Sequence, residues 1–319
     1  MATKMILDCD TGVDDTMAIM YAAIHPDIEL LAVGTVWGNV EVELGTRNTL
    51  RVLDMVGRTD VPVARGAAGP LLGGETEFAY HVHGHDGQGN AGDNEPVRAA
   101  ESTTAAQQII DIVRQHPGEV WLVPIGPLTN IATALALDPE LPKLVAGVSL
   151  MGGSAAAPGN VSFVAEANIW HDAEAAQAVF AAQWPIIMAG LDVTMKLLIT
   201  PQHREQMLAG GPAGQYMGQI IDFYGEFYRD MVFGEWQCAT HDSIAVAAAA
   251  GHLDVRLAPV VNVEVDTTGG PGHGQTLVDL RGKYRGFPEQ EGAHTTVLLD
   301  VADGIVDDIV DLITDFQGA

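Results

Sequence analysis

The chain has 319 residues, 47% of them hydrophobic and 18% charged, enough apolar material for a sizeable core in one large domain or two small ones. Asp and Glu outnumber Lys and Arg by 42 to 15, a net charge of −27. A surface this acidic repels phosphate backbones and anionic membranes, which excludes nucleic-acid and membrane partners and favours a neutral or cationic substrate.

In chain order, residues 5–8 read as a short buried strand and 14–23 as a helix. Strand 28–36, helix 42–56 and strand 61–64 follow, then helix 103–115, strand 120–125, helix 128–137, strand 145–151, helix 172–182 and strand 186–191. Such alternation predicts an α/β fold: a mainly parallel central sheet flanked by helices, open and Rossmann-like. Beyond residue 201 come helical stretches at 201–209, 213–232 and 242–250. Strand-like runs at 260–265, 275–280 and 295–299 and a helix near 303–316 complete the pattern. No Pro/Gly/Ser-rich linker divides the chain, so residues 1–319 read as a single domain. The stretch 66–98 is an unusually long loop, rich in Gly and holding three His, of the kind that is functional or mobile. The two cysteines, Cys9 and Cys238, lie far apart in apolar or site-like stretches, which argues against a disulfide and for a reducing cytoplasm. A strand pattern begins within a few residues of the start, with no signal-peptide character. The longest apolar run, 244–251, is too short to span a bilayer.

The strongest chemical signal is Asp8-Cys9-Asp10-Thr11-Gly12-Val13-Asp14-Asp15, four carboxylates directly after a buried strand. Crowding that much negative charge is costly unless a cation neutralises it, and hard oxygen ligands suit Ca²⁺ or Mg²⁺. A strand at this place would carry all four to the ligand end of the sheet. Weaker alone are His241-Asp242 at a helix start, Glu166-Ala167-Asn168 between strand and helix, and Asn39 after the second strand. Each of these is as readily a helix cap or a loop contact.

Together, Asp10-Thr-Gly-Val-Asp14-Asp15, Gly34-Thr-Val-Trp-Gly-Asn39, Gly126-Pro-Leu-Thr-Asn130, Met151-Gly-Gly, Glu166-Ala-Asn168 and His241-Asp242 resemble the nucleoside hydrolases of the inosine–uridine-preferring group, in that family's order and spacing. The resemblance covers nearly the whole chain. It implies hydrolysis of the N-glycosidic bond of ribonucleosides and a homo-oligomer, dimer or tetramer. It also implies a tightly held Ca²⁺ ligated by Asp10, Asp15, Asp242 and the backbone carbonyl of Ile125, where the family often has Thr. Asp14, Asn39, Met151, Glu166 and Asn168 would hold the ribose. Asp10 would take a proton from metal-activated water, and His241 would assist the leaving base. His83-Gly-His-Asp-Gly87 matches the family's His-Gly-x-x-Gly pattern and would set His83 toward the base, whereas the following 89–93 stretch departs from it.

The chemistry agrees with that allocation. Glycosidic cleavage builds positive charge on the ribose, which carboxylates stabilise, while the leaving base needs a proton donor. A His with an ordinary pKa near ~6.5 could supply it. Tyr224 and Tyr228, one turn apart, read either as core packing or as pocket rim. His81, His83 and His85 could in principle converge on zinc. Two rival functions are a non-catalytic nucleoside or ribose binder and a haloacid-dehalogenase-type phosphatase, the latter needing Lys143 or Lys196 in the site.

Overall fold

The computed structural model describes residues 2–92, 95–283 and 290–318. Strand β1 (Thr3–Cys9) leads into α1 (Val13–Ile24), β2 (Ile28–Thr35) into α2 (Val42–Met55), and β3 (Val63–Arg65) into the long loop, which holds the short helix α3 (Tyr80–His83). Then come α4 (Ala105–Gln115), β4 (Val120–Pro124), α5 (Thr129–Leu137), β5 (Gly147–Met151), α6 (Ala167–His171), α7 (Ala173–Ala181) and β6 (Ile186–Ala189). The second half runs α8 (Leu191–Thr194), β7 (Leu198–Ile199), α9 (Pro201–Ala209), α10 (Pro212–Tyr228), β8 (Cys238–Ala239) and α11 (Asp242–Ala250). It ends with β9 (Val255–Leu257), β10 (Val260–Val261), β11 (Val263–Val265), β12 (Thr276–Val278), β13 (Thr295–Val297), β14 (Asp300–Val301) and α12 (Gly304–Asp315).

Eight strands form the main sheet in the order β10-β13-β6-β5-β4-β1-β2-β3, every pair parallel except β10 with β13 at the edge. The chain steps from β1 to β2 in one direction and later crosses back to lay β4 on the other side of β1. That reversal opens a crevice beyond the carboxyl ends of β1 and β4, where open α/β sheets bind ligands.

Side chains alternate along β1, and the alternation divides the core. Met5, Leu7 and Cys9 pack with residues of α1, α10, α11 and α12 on one face, while Ile6 packs with residues of α4, α5 and α7 on the other. Helix α11 is buried on nearly all sides: Ile244, Ala245, Val246 and Ala247 have no exposed surface. Its small side chains let it lie close against the sheet and α1, which fixes the position of Asp242 at its start.

Three expectations are revised. The helical stretch 213–232 ends as α-helix at Tyr228 and continues as a wider π-type turn over Arg229–Phe233. The run 260–265 is two strands: β10 joins the main sheet and β11 pairs with β12 in a separate ribbon. The long loop is pinned rather than loose. Gln88 within it is fully buried, donates to Thr16 Oγ1 at 2.8 Å and accepts from the Tyr216 hydroxyl at 2.8 Å. Asp93 of the divergent 89–93 stretch lies outside the described residues.

Candidate active site

The carboxylates after β1 do not act as one set. Asp8 shares the parity of Ile6 and is turned to the α5 face, where its Oδ1 accepts from Asn130 Nδ2 at 2.9 Å. It is a buried structural acid, pushed up to about 7 by burial, and not a ligand at the sheet end. Asp10, Asp14 and Asp15 lie past the strand, in the crevice. One carboxylate oxygen each from Asp14, Asp15 and Asp242 lie within 4.8 Å of one another.

Backbone and amide donors hold these acids in place. Asp15 Oδ1 accepts from the Asp10 N–H at 3.1 Å, and its Oδ2 from the Gly12 N–H at 2.8 Å and Asn39 Nδ2 at 3.0 Å. Asp10 Oδ2 accepts from the Asn39 N–H at 2.7 Å. Glycine is required beside Asp10: a Cβ on Gly38 would stand 2.0 Å from its Oδ2, and one on Gly126 would stand 2.8 Å from its Oδ1. Two oxygens, Asp10 Oδ1 and Asp14 Oδ1, are shielded from water and have no hydrogen-bond partner.

Burial and mutual repulsion raise the acids. Asp10 is held well above the usual carboxylate range by burial and by Asp15; Asp242 likewise by burial and by Asp14, Asp15, Asp10 and Glu166. Burial, then Asp14, pushes Asp15 up to about 7. Buried acids crowded in this way, with oxygens left unpartnered, could hold a divalent cation.

Next to the acids, Glu166 caps α6. Its oxygens accept the N–H groups of Asn168 at 3.0 Å, Gly153 at 2.9 Å and Ile169 at 3.3 Å, while burial pushes it up to about 7. Asn168 Nδ2 reaches the carbonyls of Ile125 at 3.0 Å and Met151 at 3.2 Å. A carbonyl has two lone pairs, so the Ile125 oxygen keeps one for another partner.

An aromatic chain closes the other side. Tyr224 donates to Asp14 Oδ2 at 3.0 Å and stacks on His83 at 5.3 Å. Tyr228 lies against Tyr224, with ring centres 5.0 Å apart, and its hydroxyl is 2.6 Å from His241 Nε2. His241 Nδ1 is 2.8 Å from Thr194 Oγ1. Both tyrosines are buried, yet their hydroxyls belong to the polar site, so core packing and site lining are the same position here.

The expectation for His241 needs correction. Burial lowers its pKa, with Asp14 opposing only in part, and both ring nitrogens are engaged. His83 is lowered to about 4 by burial, and its Nδ1 accepts from the Val13 N–H at 3.2 Å. Both histidines are therefore neutral at pH 7. His81 packs on Phe227 and His85 on Tyr80, so the three loop histidines do not converge, and no such metal cluster occurs among the described residues.

Direct contacts link Asp10, Asp15 and Asn39, link Asp14, Tyr224, His83, Tyr228 and His241, and link Glu166, Asn168, Ile125 and Met151, while Asp242 lies beside Asp14 and Asp15. Thr194 and Gly38 are partners that sequence reasoning did not single out for a role; nothing marks Thr194, while Gly38 sits inside the motif ending at Asn39. The phosphatase reading fails, because Lys143 pairs with Glu140 and Lys196 bonds the Leu299 carbonyl. Cys9 and Cys238 are both free and buried, and no described helix is long and apolar enough to cross a membrane.

Comparison with known proteins agrees with this geometry. The family profile of inosine-uridine preferring nucleoside hydrolase matches residues 5–306. The inosine-uridine preferring nucleoside hydrolase of Leishmania major is 40% identical over 303 residues, 93% of this chain and 92% of that protein. The pyrimidine-specific ribonucleoside hydrolase RihA of Escherichia coli O8 is 36% identical over 315 residues, 98% of each chain. The solved structure of a plant nucleoside hydrolase, the PpNRh1 enzyme, superposes with a TM-score of 0.91 at 31% identity, covering 98% of this chain and 99% of that one. The chain belongs to the inosine-uridine preferring nucleoside hydrolase family and is a hydrolase of the N-glycosidic bond of nucleosides.

Proposed function

We propose that the chain, as a single domain, is a Ca²⁺-dependent ribonucleoside hydrolase. Asp10, Asp15, Asp242 and the Ile125 carbonyl hold the ion, and Asp14, Asn39, Met151, Glu166 and Asn168 hold the ribose. The observation that carries this reading is the crowding of buried acids in the sheet crevice: Asp10 Oδ1 is buried without a hydrogen-bond partner, Asp10 and Asp15 both act on Asp242, and Asp14 Oδ1, also unpartnered, is left for the substrate beside them. A donor set made wholly of oxygen suits a hard cation with flexible coordination, which favours Ca²⁺. The ion, when bound, supplies positive charge that acidifies water and orients the ribose hydroxyls.

The remaining chemistry belongs to the chain's own residues. Asp10, fixed through Oδ2 by the Asn39 N–H and free at Oδ1, takes the proton of the attacking water. The water oxygen joins the anomeric carbon, and the electron pair of the broken C–N bond leaves with the base. Asp14 and Glu166 stabilise the positive charge that develops on the ribose.

The base must then gain a proton. With Thr194 donating to His241 Nδ1, His241 Nε2–H donates to the Tyr228 oxygen, and the Tyr228 hydroxyl, which also meets the Tyr224 hydroxyl, gives its proton to the leaving nitrogen. Burial holds Tyr228 above the ordinary phenol range, so it stays protonated. His241 acts through Tyr228: its Nε2–H steadies the phenolate left when the base takes the hydroxyl proton, and solvent restores that proton as Asp10 gives up the one it took from water; His83 and Tyr224 form the wall against the base.

The test is base and ribose release from inosine, adenosine, guanosine, uridine and cytidine, with and without prolonged chelation. Release lost on chelation and restored by Ca²⁺ is the expected result. Ligand binding without release from any of the five would instead make the chain a nucleoside binder. The two relatives above are named for different bases, so the panel also sets the base preference.

A further inference from the structure

Helices α1 and α11 begin at the active-site acids, and their other ends meet again. α1 starts beside Asp14 and Asp15 and finishes at Ile24; α11 starts with Asp242 and finishes at Ala250. Twelve helical residues at 1.5 Å each place that second meeting about 18 Å from the first. There His25, Asp27 and His252 each offer a ligand atom, all within 4.8 Å of one another. The two imidazoles lie 4.2 Å apart, centre to centre, at 32°. Nothing in the hydrolytic site uses these residues.

The surroundings suit ligation. The Tyr21 hydroxyl is 2.7 Å from His252 Nδ1 and its ring packs edge-on against both imidazoles, at 5.3 and 6.1 Å. With Nδ1–H donating to Tyr21, His252 leaves the Nε2 lone pair free. This is the outer contact that orients metal-binding imidazoles. His25 Nδ1 accepts from the Asp27 N–H at 3.1 Å in a water-exposed turn. Ligation through its Nε2 requires the other tautomer and gives up that one contact, which water replaces.

Charge favours a cation as well. Asp27 on the turn and Asp308 on α12 both face His252, which burial and His25 keep neutral near pH 7. Arg58 reaches the same helix end through the Ala23 carbonyl, but its guanidinium is held by both oxygens of Asp60.

We propose that His25, His252 and Asp27 form a second divalent-cation site, selective for zinc, that clamps the carboxyl ends of α1 and α11. Two imidazole nitrogens and one carboxylate oxygen match Zn²⁺, with solvent completing a tetrahedron on the exposed side. The oxygen-only set at the opposite helix ends suits a harder cation, so ligand type sorts the two ions. Occupancy ties together two helices whose starts carry the hydrolytic acids, and stabilises the folded chain by mass action.

The experiment is isothermal titration of the full chain with Zn²⁺ at pH 7.5 in a large excess of Ca²⁺, on wild type, His25→Gln, His252→Gln and Tyr21→Phe. The expected result is one zinc per wild-type chain, lost in both histidine variants. Binding should be weaker by about tenfold in Tyr21→Phe, the cost typical of removing an outer hydrogen bond. Zinc should raise the thermal midpoint of wild type and not of the histidine variants, while nucleosidase activity in Ca²⁺ stays the same in all. Should a histidine variant fail to fold, Asp27→Asn on the exposed turn carries the same expectation of weakened zinc binding. Equal zinc affinity in wild type and the His25→Gln/His252→Gln double variant, or in wild type and Asp27→Asn, overturns the proposal. So does displacement of the zinc by Ca²⁺, which would place it in the acid cluster.

Discussion

Adding Ca²⁺ to chelator-stripped protein should expel protons, and the number is set by the acids in the crevice. Without an ion, Asp15 sits at about 7, raised by burial and by Asp14 from the ordinary 3.8. It is then about half protonated at pH 7 and ~90% protonated at pH 6. A cation binds the ionised form, so Asp15 alone releases about 0.5 proton at pH 7 and about 0.9 at pH 6. Asp10 and Asp242, raised by the same causes, add to that. By linkage, affinity falls as pH falls: Asp15 alone weakens binding about fivefold between pH 7 and pH 6. Titration calorimetry in two buffers of different ionisation enthalpy reads the released protons directly. Bound Ca²⁺ with no buffer dependence at either pH would refute the reasoning, because it would mean that the acids are fully ionised before the ion arrives.

Other perturbations separate the roles within the site. Asp10→Ala should lower turnover by about 10²–10⁴-fold, the usual worth of a general base, and weaken Ca²⁺ retention; near-normal turnover would remove Asp10 from that role. His241→Ala and Tyr228→Phe should both slow nucleosides with poor leaving bases and spare a nitrophenyl riboside, whose leaving group needs no proton. Equal loss on both substrates would end the leaving-group assignment. Gly38→Ala drives a Cβ to within 2.0 Å of Asp10 Oδ2, so the carboxylate must move; Ca²⁺ affinity and turnover should fall together while the far-UV circular dichroism is unchanged. Unchanged Ca²⁺ affinity in that variant would show that the Asp10 position is not critical to the ion.

The main sheet was legible because its strands are short apolar runs separated by helical periodicity, and a parallel sheet covered on both faces has that pattern. The same burial hid other features. A strand covered on both faces has no polar side to read, so the sequence alone does not reveal that Asp8 points to α5 while Asp10, beyond the strand, points to the crevice. Helices α3, α6 and α8 have four or five residues each, too few for a helical period. The 260–265 run is uniformly strand-like apart from Asn262, yet its halves join different sheets, a matter decided by tertiary pairing. Thr194 carries no local mark at all; only the fold brings it to His241.

His241 shows most clearly what residue type leaves open. A histidine beside a candidate metal ligand, Asp242, suggests an imidazolium donor, and in water that reading would hold. Here the ring is 5% exposed, and removing water costs the charged form more than Asp14 returns, so the ring is neutral. A neutral imidazole with both nitrogens engaged can still assist, because its N–H steadies the phenolate left when Tyr228 gives up its proton. Thr194 and Tyr228 are both hydroxyls, each able to donate or accept by rotation about one bond. A cationic histidine would have cost the acid cluster nothing electrostatically, but it would also have competed with the ion for that negative charge. On the proposed mechanism, keeping the imidazole neutral and giving the terminal proton to a tyrosine would leave the carboxylates to the cation and the ribose, and would deliver the proton from a group that holds it firmly until the base develops its negative charge.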